Sequence, residues 1–197
     1  MKPKIVVVGS SNTDMIIRLA GLPRPGETVL GGSFAMAAGG KGANQAVAAA
    51  RAGGEVTLVA RTGSDVFADR SAKGWAADGI RTAHVVRDAS RPSGIALIFV
   101  AADGQNSIAV APWANAALSP ADVRRAEPDI AAARIVLLSL EIPLNTVLAA
   151  AAIADKHGVP VILNPAPARP LPGALLRTVS VLTPNETEAE MLTGLGI

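Results

Sequence analysis

The sequence predicts an α/β fold, with a mostly parallel sheet and helices on both faces, and three observations carry that reading. Residues 4–9 (KIVVVG) hold an unbroken β-branched run, the pattern of a strand buried on both faces. Residues 38–54 read AGGKGANQAVAAARAGG, in which a glycine-rich turn opens an alanine-rich helix over 43–52 that Gly53 stops. From Ser119 onward, strand-like and helix-like segments alternate, as they do in parallel sheets. Half of the 197 residues are hydrophobic but only 3% are aromatic, so Ala, Val, Leu and Ile must build the core. That length suits a single domain over residues 1–197.

The first strand runs into Ser10, Ser11, Asn12, Thr13 and Asp14. Polar residues just past the C-terminal end of a buried strand are how open α/β sheets present binding groups, although Asn12 and Asp14 also suit an ordinary turn. Residues 15–19 and 28–36, separated by Pro23-Arg24-Pro25-Gly26, read as antiparallel strands outside the main sheet. A second pair, 94–101 and 105–111, flanks Asp103-Gly104, a hairpin signal. Together they predict a small inserted β-lid, at about 15–36 and 94–111. His84 is placed at the start of a further lid strand.

Between the lid segments, 55–60 predicts a buried strand and 66–77 a helix ending at Gly79, with Ser64 or Asp65 as its N-cap. Ser119 caps a helix that has Pro120 at its first position. Strands are predicted at 134–140, 159–163 and 179–182, the last buried on both faces. Helices are predicted at 144–157, stopped by Gly158, and at 171–177.

Composition excludes several function classes. The net charge of +2 comes from 18 basic and 16 acidic residues scattered without blocks, whereas a nucleic-acid binder favours a concentrated basic face. The absence of cysteine excludes disulfide and thiol chemistry and fits a reducing cytoplasm. The apolar run at 5–8 is too short for a signal peptide, and no stretch is long enough to span a bilayer. The two histidines form no metal-spaced cluster and belong to no Ser-His-Asp order.

The glycine turn fits neither familiar phosphate loop. A P-loop needs glycine where Ala35 stands and Ser or Thr where Gly42 stands; the dinucleotide fingerprint needs glycine where Gln45 stands. As a bare motif, the turn suits either chain reversal or an anionic or hydroxyl-rich ligand at the helix start, beside Lys41 and Asn44. Asn185-Glu186-Thr187-Glu188 likewise suits simple stabilisation of a helix dipole. Glu141, after the strand at 134–140, stands on the same rim as Asn12 and Asp14.

GGKGANQAVAAARAG resembles the first signature of the ribokinase (PfkB) family of sugar kinases. VVVGSSNTDMI is similar to the family's opening strand with its sugar-binding Asn and Asp. PRPGETV, SGIALIFV, ANAALSP, LNPAPAR and LTPNETEAEMLTG follow in the family's order. The resemblance implies a ribokinase-like fold and ATP-dependent phosphorylation of D-ribose at O5. ATP, Mg2+ and a monovalent cation such as K+ would serve as cofactors, and the lid would close over the sugar and join a homodimer. Carried over position by position, it implies sugar contacts at Asn12, Asp14, Gly40, Lys41, Asn44 and Glu141 (in SLEIP), with Ala96 as an apolar wall. It further implies nucleotide binding at Asn185 and a magnesium role for Glu188 through water; Asn164 is expected to be a loop residue.

The family's GAGD signature, whose Asp is the base for the sugar hydroxyl, has no counterpart before the final Gly194-Leu195-Gly196-Ile197. No catalytic residue is therefore assigned. The chain alone is expected to be inactive and, with a sheet edge uncovered near 179–182, prone to aggregate. Two other readings stay open: a kinase of another sugar or nucleoside (deoxyribose, fructose), or a catalytically silent sugar-binding module. Pro112-Trp113 stands where the family has smaller residues, a change at the pocket or an interface.

Overall fold

The computed structural model describes residues 2–196; Met1 and Ile197 lie outside the described residues. The strands are β1 (Lys4–Val8), β2 (Asn12–Leu19), β3 (Ser33–Gly39), β4 (Glu55–Gly63), β5 (Arg81–Asp88), β6 (Gly94–Ala101), β7 (Asn106–Ala111), β8 (Ile135–Ser139), β9 (Val161–Asn164) and β10 (Val181–Leu182). The helices are α1 (Lys41–Arg51), α2 (Val66–Ala77), α3 (Pro120–Arg125), α4 (Glu127–Ala131), α5 (Leu144–Lys156), α6 (Gly173–Thr178) and α7 (Glu186–Thr193), and a 3-10 turn spans Trp113–Ala117.

β1 is central in a six-stranded sheet of order β10-β9-β8-β1-β4-β5, and every pairing in it is parallel. Its side chains alternate between two cores. Val6 and Val8 pack with α3, α4 and α5 against one face, and Val7 packs with α1 and Trp75 of α2 against the other. A strand covered on both faces has no polar side, which is why its sequence is an unbroken apolar run. From β1 the chain moves outward through α1 to β4 and through α2 to β5. It then returns to the other side of β1 for β8, β9 and β10. The order of connection thus reverses between β1 and β8, the place where open α/β sheets bind ligands at their carboxyl ends.

The second sheet has the order β3-β2-β6-β7, with β2 and β6 parallel at its centre and β3 and β7 antiparallel at its edges. It is the inserted β-structure expected from sequence, with several corrections. β2 begins at Asn12, so Asn12 and Asp14 lie in a lid strand and not in a loop after β1; they pair with Gly39 and Ala37 on one side and Gly94 and Ala96 on the other. β3 begins only at Ser33, because Gly31 and Gly32 take positive φ (103° and 97°) and break the extended chain.

His84 does not begin a lid strand. It lies in β5, which pairs in parallel with β4 and closes the main sheet, because the α2 crossover returns the chain beside β4. Residues 179–182 are not buried on both faces: β10 is a two-residue edge strand, Val181 is 48% exposed, and Leu176 and Met191 also reach solvent nearby.

Carboxylates root the second lid arm in the main sheet. Asp65 caps Ala68 N of α2 and accepts from both the Ser93 amide and hydroxyl, while Arg61 donates to Asp88 at 2.7 Å. The Ser90 hydroxyl and amide, followed by Arg61, hold the Asp88 carboxyl far below the usual range. Among the described residues no helix is long and apolar enough to cross a membrane.

The main-sheet packing depends on one backbone contact. A Cβ on Gly42 of α1 would lie 2.6 Å from Gly9 Cα, Gly9 C and Ser10 N, whereas one on Gly74 of α2 meets nothing within 4 Å. Gly42→Ala is therefore expected to destabilise the fold by about 1–3 kcal/mol, and Gly74→Ala to stabilise it by about 0.5–1 kcal/mol. Denaturant unfolding of both variants checks this; equal effects would show that the helix can move off Gly9.

Candidate functional site

The site forms where β1, β8 and α1 meet at the reversal of the main sheet. Gly40 occupies the N-cap position of α1 at φ 88°, and no side chain within the helix caps it. The cap comes from elsewhere. Glu141 Oε2, just past β8, accepts the Lys41 N–H at 2.9 Å and the Ser10 hydroxyl at 2.6 Å. Ser10 O takes the Ala43 N–H at 2.8 Å, and Ser10 Oγ takes the Gly42 N–H at 3.4 Å.

Here the structure corrects the sequence expectation. The first N–H groups of α1 are not left for a ligand at the helix start; an internal carboxylate and Ser10 take them. A helix N-terminus favours negative charge, and the fold supplies it with Glu141. The Glu141 Oε1 oxygen stays free of protein donors among the described residues.

Asp14 lies nearby in β2. A Cβ on Gly39 would fall 2.1 Å from Asp14 Oδ1, so the carboxylate leans over bare backbone. Ala37, Asp14, Ala96 and Val110 form one row across the four lid strands. Two alanines thus flank the carboxylate, and Ala96 stands beside it as a small apolar surface. Burial, and after it the charge of Glu141, raise the Asp14 carboxyl above its ordinary value. Asn44 is exposed on the first turn of α1 and Lys41 is half-buried at its start. A cleft of ≈ 400 Å³ opens beside Glu141, lined by Val110, Pro112, Leu140, Ile142, Pro167 and Arg169 among others; of the expected site residues only Glu141 lines it.

Asn12, Asp14, Gly40, Lys41, Asn44, Ala96 and Glu141 therefore gather at one rim. Asn185 and Glu188 stand further along that rim, after β10. Their side chains form a reciprocal capping box on α7: Asn185 Oδ1 accepts the Glu188 N–H at 2.7 Å and Glu188 Oε2 accepts the Asn185 N–H at 3.0 Å. Asn164 is not the expected loop residue: it ends β9, paired with Ser139, and from there donates to Thr183 O and accepts from Ala166 N.

Two residues of the site were not singled out from sequence. Ser10 was read only as part of a polar stretch, and its paired role at α1 depends on β8 arriving beside β1. Asn115, in the turn after β7, bonds Ser11 and Asn12. Its only sequence signal was its place in ANAALSP. Trp113, two residues before it, has φ 39° and packs near Met15 and Leu97 on the lid face that Asp14 does not share.

Comparison with known proteins agrees with this fold. The chain is 45% identical over 197 residues to ribokinase of Haemophilus influenzae, covering all of this chain and 64% of that protein. It is 41% identical to deoxyribokinase of Salmonella typhi, covering 98% of this chain and 63% of the relative. The structure of Arabidopsis thaliana ribokinase complexed with ribose and ATP superposes at a TM-score of 0.86 with 36% identity, over the whole of this chain and 64% of that one. The chain thus spans just under two thirds of the length of these relatives. The description "pfkB family carbohydrate kinase" matches residues 2–197, through both sheets and every residue of the rim, and the chain belongs to that family.

Proposed function

We propose that the chain supplies the sugar-binding half of an ATP-dependent kinase that phosphorylates D-ribose at O5. The observation that carries this reading is the closeness of Asp14 and Glu141 at the sheet reversal, with Asn12 on the same strand as Asp14 and Lys41 and Asn44 on the first turn of α1. Vicinal hydroxyls need such a mixture of acceptors and donors, and Ala96 gives the sugar ring an apolar surface to rest on. The ribokinase names of the relatives, and the ribose and ATP in the Arabidopsis structure, support the substrate. The deoxyribokinase relative favours a second reading, a kinase of deoxyribose.

Asn185 would meet the nucleotide and Glu188 would hold Mg2+. One Glu188 oxygen is engaged in the capping box, and the described residues contain no group of three or more metal-ligating side chains. A single carboxylate oxygen fits magnesium kept mainly by water and nucleotide phosphates. Bound there, the metal–nucleotide pair would supply the phosphoryl group and screen its charge. The chain's own residues bind the sugar, hold its hydroxyls in register and exclude water under the lid. None of them is assigned as the base for O5; after Glu141 the sole aspartate is Asp155, near the end of α5.

A second copy of the chain is proposed to cover the lid. Met15, Ile17, Phe34, Met36 and Leu97 share the lid face turned from Asp14, and Phe34 is 63% exposed. Light scattering is expected to show a dimer that Phe34→Glu dissociates; a monomer at high concentration in the unmodified chain counts against this.

Asp14 links the function to stability. Its folded pKa is raised, so the folded state binds that proton more tightly than the unfolded chain does. Stability is then lost as pH rises from the ordinary aspartate value through the raised one. Asp14→Asn should melt higher than the unmodified chain at neutral pH, with the gain vanishing in acid. The same substitution should weaken ribose binding by about 1–3 kcal/mol, because a sugar hydroxyl loses its acceptor. Thermal melts across pH check the first point, and calorimetric titration with ribose and 2-deoxyribose, without nucleotide, checks the second and separates the two substrates. Ribose affinity unchanged by Asp14→Asn would sink the assignment.

A further inference from the structure

Asn115 is 1% exposed in the turn that follows β7, and every hydrogen bond of its amide goes to the segment that carries Asn12. Its Oδ1 accepts the Ser11 N–H at 2.9 Å. A backbone N–H can only donate, so this contact decides which end of the Asn115 amide is oxygen. The other end, Nδ2, donates to Ser11 O at 3.1 Å and to Asn12 Oδ1 at 2.8 Å. A donor facing Asn12 requires an oxygen in return, so the orientation of the Asn12 amide is decided as well. Asn12 Nδ2 then has no protein acceptor among the described residues, and it is not a buried orphan. Asp14 stands two residues on, on the same face of β2.

We infer that Asn115 is a positioning residue that turns the Asn12 NH2 group toward the sugar. The inference rests on the proposed sugar contact of Asn12. A hydroxyl has one proton to give; once Asp14 or Glu141 takes it, the hydroxyl oxygen can only accept, and it needs a donor. Asn12 supplies one only in this orientation. Its amide is nearly symmetric in shape, so packing alone does not choose between the two orientations; Asn115 does. Gly94 belongs to the same device, since a Cβ there would lie 2.2 Å from Asn12 Oδ1 and 2.3 Å from Asn115 Nδ2.

A double-mutant cycle tests this on the 197-residue chain, reading ribose affinity by calorimetry without nucleotide, with circular dichroism to establish folding. The variants are Asn12→Ala, Asn115→Asp and the two combined. Asn115→Asp keeps the shape and still accepts from Ser11 N–H, but it loses both donated bonds and draws the Asn12 NH2 group toward the new carboxylate. Each single variant is expected to weaken ribose binding about tenfold. The double variant should be no weaker than the worse single one, because both remove the same donor.

Additive losses, or an Asn115→Asp variant with unchanged affinity where Asn12→Ala is impaired, would overturn the positioning role. Unchanged affinity in Asn12→Ala, or no ribose binding by the unmodified chain, would instead overturn the sugar-contact reading on which it rests. If Asn115→Asp does not fold, Asn115→Ser takes its place in the same cycle with the same expectations.

Discussion

The Glu141 carboxylate is the interaction on which the rest of the rim depends. It closes the start of α1, binds the hydroxyl that follows β1 and itself follows β8, so three separate elements meet on one oxygen atom. The arrangement is possible only because α1 can approach β1 to backbone contact at Gly42 and Gly9. A side chain at either position would lift the helix away and leave its first N–H groups without acceptors. Helix ends tolerate that poorly when water cannot replace the partner. One contact therefore serves both the fold and the site: the charge that caps the helix still has a second oxygen to offer a ligand.

The lid depends on a different kind of bond. Its strands leave the main sheet after β1 and again after β5, and polar side chains fasten each departure. Asn115 joins the turn after β7 to Ser11 and Asn12, and Asp65 joins the β4–α2 corner to Ser93. Burial pushes the Asp65 carboxyl up, but the bonds from Ser93 and Ala68 outweigh it and leave the group below its ordinary value. Buried polar groups satisfied in this way define geometry more sharply than apolar contact does, because a hydrogen bond has direction. The lid is thus attached rigidly at its root while its outer face stays apolar and exposed.

Much of this was legible in the sequence. Apolar runs gave the buried strands β1 and β4, and capping residues gave the helix start at Ser119 and offered Ser64 or Asp65 for α2; Asp65 and Ser119 make the capping bonds. Asp103-Gly104 marked the hairpin that joins β6 and β7. The glycine corner, together with the motifs around it, located the rim on which Asn12, Asp14, Lys41 and Glu141 meet. These features are local: a residue's own neighbours dictate the turn, the cap or the buried face.

What the sequence alone could not decide was which segments become neighbours. The stretch Arg81–Asp88, with Ala83, Val85 and Val86 set among polar residues, suits a lid strand or a sheet edge equally well, and only the return of α2 beside β4 places it in the main sheet. A glycine-led helix start looks open until β8 brings Glu141 to fill it. An asparagine between alanines carries no sign of its partners until two lid arms converge on it. Backbone propensity and pattern act over a few residues. The placement of a carboxylate or an amide depends on contacts between residues about a hundred positions apart, which exist only once the sheet has formed.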